Sequence, residues 1–150
     1  LMLALSQDLS QNRPAEAREH VRRFHELFFG LSPQKDAIEH NINRALQLAD
    51  RSAYHYYVDF AEKGYYNRLV SGNINQVVHV DSVVCDFSGY PYKAVTHARQ
   101  LIIRESNVTE RSLVTSCELQ NASRSDDNPN GFIIEHLVIL ENRDIRSVER

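Results

Sequence analysis

The chain has 150 residues and a mass of 17.3 kDa, which favours one domain of ordinary size over two. Its 42% hydrophobic and 25% charged residues are close to globular averages, which excludes a disordered or collagen-like chain. A formal charge of −3 and a pI near 6.2 argue against a nucleic-acid-binding protein, because such proteins carry a basic surplus. The sequence also contains no apolar stretch of about 20 residues that would cross a bilayer.

The first half of the chain repeats its apolar residues at helical spacing. A first helix is predicted to begin at Asn12 and Pro14, an N-cap residue and a residue suited to a first turn, and to end at Gly30. Ser32-Pro33 begins a second helix, which Asp50-Arg51-Ser52 interrupts. A third helix continues through Val70 towards Ser71-Gly72. Three helices are therefore expected before residue 72.

The second half of the chain changes to twofold alternation with β-branched residues, beginning near Ile74. Short turns separate four predicted strands, which lie at Val77 to Phe87, Val95 to Ile103, Leu113 to Leu119 and Phe132 to Leu140. Consecutive strands joined by short turns pair antiparallel. The sequence therefore predicts an α+β fold in which N-terminal helices pack on a curved antiparallel sheet of about four strands.

The histidines do not have the spacing of a metal site. His25-Glu26 begins like the zinc motif H-E-x-x-H, but the fourth position after His25 is Phe29. His20 lies five residues before His25, on another helix face. The four histidines of the predicted helices are therefore expected to be surface residues; they are His20, His25, His40 and His55.

Asp126 to Gly131 matches the opening of a calcium loop, D-x-[DN]-x-[DN]-G. The closing position, six residues past Gly131, holds Leu137 instead of a bidentate carboxylate. A polar turn is the better interpretation. Cys85 and Cys117 lack C-x-x-C spacing, so we expect buried free thiols, with a disulfide as the alternative.

No glycine-rich phosphate loop and no G-x-S-x-G nucleophile motif occurs in the sequence. One enzymatic alternative remains, because a curved sheet closed by helices forms a cone whose interior can shift the pKa of a carboxylate or histidine. Asp81, His97 and His136 lie on predicted strands and are the candidates for such an isomerase-type or small-molecule-binding site. Alternation alone does not fix which face of the sheet they occupy.

Six blocks of sequence occur in order over most of the chain: Arg13-Pro14, Phe24 to Phe29, Glu62 to Asn67, Arg104-Glu105-Ser106, Arg111 to Thr115, and Asn128-Pro129-Asn130-Gly131. With these blocks the sequence resembles the TraK family of Bacteroides-type conjugative transposons. The resemblance implies a subunit of a type IV secretion system at the inner membrane, with a nuclear-transport-factor-two-like (cystatin-like cone) domain in the periplasm. It implies a structural scaffold with no catalysis, metal or cofactor.

The resemblance also implies a domain organisation and partners. Residues 1–12 are expected to form a linker after a transmembrane helix that lies upstream of Leu1, and residues 13–150 a single periplasmic domain. The expected partners are other channel subunits and further copies of the chain, with no direct nucleic-acid binding. A soluble cargo adaptor without an upstream helix is a further alternative.

An Asn-Pro-x-Gly turn before a strand is tied, in such scaffolds, to contacts needed for assembly. The resemblance therefore makes this turn a candidate protein-interaction site, together with a segment of the third predicted helix. The candidate residues are Asn128, Pro129, Asn130, Gly131, Tyr65, Tyr66 and Asn67.

Overall fold

The computed structural model describes the backbone of residues 2–150 and the side chains of residues 12–150. Four helices precede five strands, and this order confirms the predicted α+β class. The helices are α1 (Met2–Phe29), α2 (Lys35–Leu46), α3 (Arg51–Glu62) and α4 (Tyr65–Ser71). The strands are β1 (Asn75–Asp86), β2 (Tyr92–Ile103), β3 (Asn107–Asn121), β4 (Phe132–Glu141) and β5 (Asp144–Glu149).

The five strands form one antiparallel sheet with the order β1-β2-β3-β4. The additional strand, β5, pairs with the first part of β3, on the edge that β4 occupies further along. The sequence did not indicate β5 because all six of its residues are exposed, which removes the alternation that marks a half-buried strand.

Helix α1 begins at Met2, so the predicted start at Asn12 is wrong. Pro14 lies inside the helix. A proline fixes φ near its helical value and removes one backbone donor, and here the helix continues through it. Within the part of the chain whose residues are described, no helix combines the length and apolar character that crossing a bilayer requires.

The third predicted helix is divided into α3 and α4. Gly64 separates them with a φ of +77°, a left-handed conformation that glycine adopts without a steric cost. At the beginning of α3 the Asp50 side chain accepts a hydrogen bond from the Ser52 amide at 3.0 Å, which is a normal N-cap. The predicted break between the second and third helices is therefore present, but it lies at residues 47–50, and Arg51 and Ser52 belong to α3.

The hydrophobic core lies between α1 and the concave face of the sheet. Its largest buried side chains include Phe24 and Phe28 of α1, whose rings stack at 5.2 Å, and Phe132 of β4. Helix α1 contacts strands β1 and β4 of the sheet, and it also contacts helix α2. Since helix α1 is covered from several directions, more than one of its faces is buried.

Because several faces of α1 are buried, the prediction that His20 and His25 lie on the surface is wrong. His20 and His25 are 1% and 0% exposed. The His25 ring nitrogens pair with the Val21 carbonyl and with Thr115 Oγ1 of the central strand, both at 2.7 Å. Burial lowers the pKa of His25 to about 4, so that its ring is neutral at pH 7. His40 and His55 are exposed, as predicted.

Candidate functional site

The Asn128–Gly131 turn is held by the side chain of its first residue. Asn128 is 6% exposed, and its Oδ1 accepts hydrogen bonds from the amides of Gly131 at 3.1 Å and Phe132 at 3.4 Å. Its Nδ2 donates to the Phe132 carbonyl at 2.7 Å. All the hydrogen bonds of the Asn128 side chain go to the backbone of Gly131 and Phe132, so this side chain shapes the turn.

Gly131 is buried at the end of the turn and has a φ of +70°. A Cβ at this position would lie 2.9 Å from the Ala122 carbonyl oxygen, closer than a carbon normally approaches. The Ala122 amide donates to the Gly131 carbonyl at 2.9 Å and so closes the loop between β3 and β4. Glycine is therefore required here by the backbone and by space.

Arg13 of α1 fastens the turn to the helix layer. Its guanidinium donates to the carbonyls of Asn130 at 2.5 Å and Gly131 at 2.7 Å, and lies 3.6 Å from the centroid of the Phe132 ring. Glu16 lies 3.6 Å from Arg13 and provides the opposing charge. Burial, the largest cause, lowers the pKa of Arg13, which nevertheless stays charged at any physiological pH.

The four turn residues therefore divide into two kinds. Asn128 and Gly131 are buried, whereas Pro129 is exposed and Asn130 is half-exposed. Pro129 and Asn130 line an open groove of about 380 Å³ between the turn, α1 and the end of α2. Only these two residues offer the turn's side-chain surface to another molecule.

The segment Tyr65 to Asn67 forms the first turn of α4. The Tyr65 hydroxyl donates to Gln76 Oε1 of β1, and the Tyr66 ring lies 5.5 Å from that of Tyr57. Burial raises the pKa of both Tyr65 and Tyr66, so both hydroxyls stay neutral. Asn67 is exposed and lines a shallow groove of about 150 Å³ between α2, α3 and α4. Asn67 is the most accessible of the three predicted residues.

The two predicted segments do not form one site. Arg13 contacts the turn near one end of α1's described side chains, while Gln76, the partner of Tyr65, donates to the Phe29 carbonyl at the other end. The helix rises about 1.5 Å per residue, so these contacts are separated by about 24 Å along α1. The turn and the α4 segment are two surfaces at opposite ends of the domain.

The residues proposed for a catalytic cone do not meet inside it. Asp81, His97 and His136 are all exposed on the outer face of the sheet. Asp81 pairs with Arg99 at 2.9 Å, and His136 pairs with Glu118 at 2.9 Å. These are surface ion pairs. Asp81 lines an open groove beside α1, but none of the three candidate residues lies inside the cone.

One group of three metal-ligating side chains occurs among the described residues. Glu118, Glu135 and His136 bring their ligand atoms within 4.8 Å of one another. Glu118 raises the pKa of His136 through the ion pair between them. The His136 side chain is 72% exposed, and this solvated ion pair explains the cluster without a metal.

The two cysteines are free in the structure. Ala94 of β2 pairs in register with Cys85 on one side and Cys117 on the other, so the cysteines lie two strands apart. Neighbouring strands are about 4.8 Å apart, which separates the two Cα atoms by about 10 Å. A disulfide needs at most about 7 Å, so the two thiols do not pair within one molecule.

Sequence reasoning missed a cluster of arginines at the open end of the concave face. Arg68 of α4, Arg104 after β2 and Arg111 of β3 line one groove of about 410 Å³ together with Tyr65 and Gln76. These residues come from separate elements, at positions that carry no motif. Only the folded sheet and the placement of α4 bring them together.

Comparison with known proteins gives no matching family model and no matching curated protein. Two solved structures are similar in fold. The first is the soluble domain of TrwG of the type IV secretion machinery from Bartonella grahamii, with 15% identity and a TM-score of 0.63, over 82% of this chain and 90% of that one. The second is CagV, a VirB8 homologue of the type IV secretion system of Helicobacter pylori, with 15% identity and a TM-score of 0.60, over 88% and 99%.

These likenesses establish the fold. The predicted nuclear-transport-factor-two-like architecture, helices packed on a curved antiparallel sheet, is confirmed. The match extends over nearly the whole of both solved domains, so the common unit is the complete domain and not a shared motif.

Proposed function

We propose that this chain is the VirB8-like domain of a type IV secretion subunit that supports assembly of a conjugative DNA-transfer channel as a structural scaffold. The observation that carries the proposal is the agreement of its fold with 90% and 99% of two domains described as parts of type IV secretion systems. The ordered sequence blocks that resemble the TraK family of Bacteroides-type conjugative transposons support the conjugative context. Neither argument requires a catalytic residue.

In this proposal the domain lies in the periplasm, and residues 1–12 connect it to a helix that anchors the subunit in the inner membrane. Anchoring confines the domain to a layer next to the membrane, which raises its effective concentration for neighbouring subunits. Contacts that are weak in solution then suffice for assembly. The partners are channel subunits and further copies of the chain, and DNA is not bound directly.

Two surfaces are proposed to make these contacts. Pro129 and Asn130 present the exposed side of the turn, and Asn67 presents the exposed side of the α4 segment, with Tyr65 and Tyr66 as its half-buried base. The buried bonds of Asn128 and Gly131 hold the first surface in one conformation, which reduces the entropy lost on binding.

The test is deletion of the gene in the element that carries it, followed by measurement of DNA transfer to a recipient cell. The deletion is complemented either with the full-length gene or with residues 1–150 alone. We expect transfer to be lost and to be restored only by the full-length form. Undiminished transfer after the deletion, or full rescue by the untethered domain, would contradict the tethered scaffold.

A further inference from the structure

The groove at the open end of the concave face combines three guanidinium groups with two neutral polar groups. Arg68, Arg104 and Arg111 line it, and so do the hydroxyl-bearing ring of Tyr65 and the amide of Gln76. Burial, the largest cause, raises the pKa of Tyr65, while the positive charges of the three arginines oppose this effect. All three charges therefore act on the region around one hydroxyl.

Two of the three charges have only neutral partners. Arg68 donates to the Lys63 carbonyl at 2.7 Å, and Arg104 donates to the Thr109 hydroxyl at 2.8 Å. Of these three arginines, all within the described part of the chain, Arg111 alone has a carboxylate partner, Asp144, at 2.8 Å. With Asp144 beside Arg111, the three arginines leave this groove with a net positive charge of about two.

The same groove has an apolar wall. Leu69 of α4, Ile74 before β1 and Ile102 of β2 contribute it, and Leu69 and Ile102 are each 3% exposed in the folded domain. A fully hydrated inorganic ion does not use such a wall, whereas a compact apolar group next to an anion does. The volume of about 410 Å³ is within the usual range for small-molecule sites.

We propose that this groove binds a small amphiphilic oxyanion, a phosphate or carboxylate group on a compact apolar body. Arg68, Arg104 and Arg111 donate to the anionic oxygens, because the planar fork of a guanidinium matches the geometry of these groups. The Tyr65 ring and the wall of Leu69, Ile74 and Ile102 pack against the apolar body. The inference does not depend on the proposed function, since it rests on the groove alone.

The test is a titration of the ¹⁵N-labelled 150-residue chain with phenyl phosphate, followed by backbone amide chemical shifts. We expect saturable shifts at residues around the groove, with a Kd below about 1 mM, and weaker binding of inorganic phosphate. Benzyl alcohol, which has the ring without the charge, should produce no saturable shift. Absence of saturation with phenyl phosphate, or saturable shifts only in other parts of the domain, overturns the proposal.

Matched variants identify the charges that matter. Arg68→Gln and Arg104→Gln should each weaken phenyl phosphate binding about tenfold or more, since hydrogen bonds to charged groups are strong. Arg18→Gln removes an equal charge from the exposed part of α1, away from the groove, and should leave the Kd unchanged. Equal loss in all three variants would mean unspecific attraction to net charge and would overturn the proposal. The amide spectrum of each variant shows whether it is folded.

A further pair of measurements identifies the source of the ligand. Vesicles of neutral lipid, with or without an anionic phospholipid, are sedimented with the wild-type chain and with Arg68→Gln. Binding only to anionic vesicles and only by the wild type assigns the groove to a lipid headgroup. Binding of phenyl phosphate without vesicle binding assigns it to a soluble phosphate monoester or carboxylate. Failure of both overturns the proposal.

Discussion

The two ends of helix α1 use arginine in opposite ways. At the turn, Arg13 donates to the Asn130 and Gly131 carbonyls and covers the Phe132 ring. Its guanidinium therefore stabilises the fold through contacts within the domain. At the other end, Arg68 and Arg104 meet only neutral acceptors beside a groove. The conspicuous sequence motif is thus largely structural, and the groove with ligand-binding chemistry lies where no motif marks it.

The largest effect is expected where the turn meets the core. Phe132 is fully buried under Arg13, so Phe132→Ala should lower the free energy of unfolding by about 3–5 kcal/mol. Urea unfolding at pH 7 measures this change. Leu140→Ala, at a position 58% exposed on the same strand, is the control and should change stability by less than about 0.5 kcal/mol. A small effect at Phe132 would mean that the turn is not packed as described.

A pH dependence of stability should follow from His25. Its pKa is about 4 in the folded domain and about 6.5 when unfolded, so below pH 6.5 only the unfolded state takes up its proton. Stability is therefore complete above about pH 6.5 and falls as the pH decreases towards 4, by about 3 kcal/mol in total. The lowered pKa of His20 acts in the same direction.

The measurement for His25 is urea unfolding between about pH 7 and pH 5, the interval in which its unfolded form titrates. His25→Gln should reduce the slope of stability against pH. His40→Gln, at an exposed position of α2, should leave the slope as it is. An unchanged slope in His25→Gln would show that the buried histidine does not control the acid sensitivity.

Within the turn itself, two asparagines should behave differently. Asn128→Ala leaves the amides of Gly131 and Phe132 without their side-chain acceptor and should cost about 1–3 kcal/mol of unfolding free energy. Asn130→Ala removes a half-exposed side chain and should cost less than about 0.5 kcal/mol. Chemical denaturation measures both changes. Equal losses of unfolding free energy in the two variants would contradict the assignment of Asn128 to the buried part of the turn and Asn130 to its exposed part.

The smallest expected effect on stability is at Arg68, and Arg13 is its matched contrast. Arg68→Gln should change the free energy of unfolding by less than about 0.5 kcal/mol, since its one bond is to an exposed carbonyl. Arg13→Gln should cost about 2 kcal/mol, because two partly buried carbonyls lose a charged donor. Thermal or urea unfolding of the two variants measures these changes. A larger loss of unfolding free energy in Arg68→Gln than in Arg13→Gln would contradict the structural role given to Arg13.

The change from helical to twofold periodicity near Ile74 was sufficient to predict the fold class and the antiparallel sheet. It did not predict that α1 is surrounded by the sheet and α2, and for that reason His20 and His25 were expected on the surface. Strand β5 was missed because an exposed edge strand carries no burial alternation. The groove of Arg68, Arg104 and Arg111 depends on long-range packing, which local spacing does not encode.

DNA transfer with a variant that keeps the fold shows whether the domain acts as a scaffold that assembles through its exposed turn. Pro129→Arg changes the exposed part of the turn, and Asn43→Arg introduces the same side chain at an exposed position of α2. Both variants are first shown to unfold at the wild-type urea concentration. We expect Pro129→Arg to reduce transfer at least tenfold and Asn43→Arg to leave it unchanged, whereas wild-type transfer by Pro129→Arg would contradict assembly through the exposed turn.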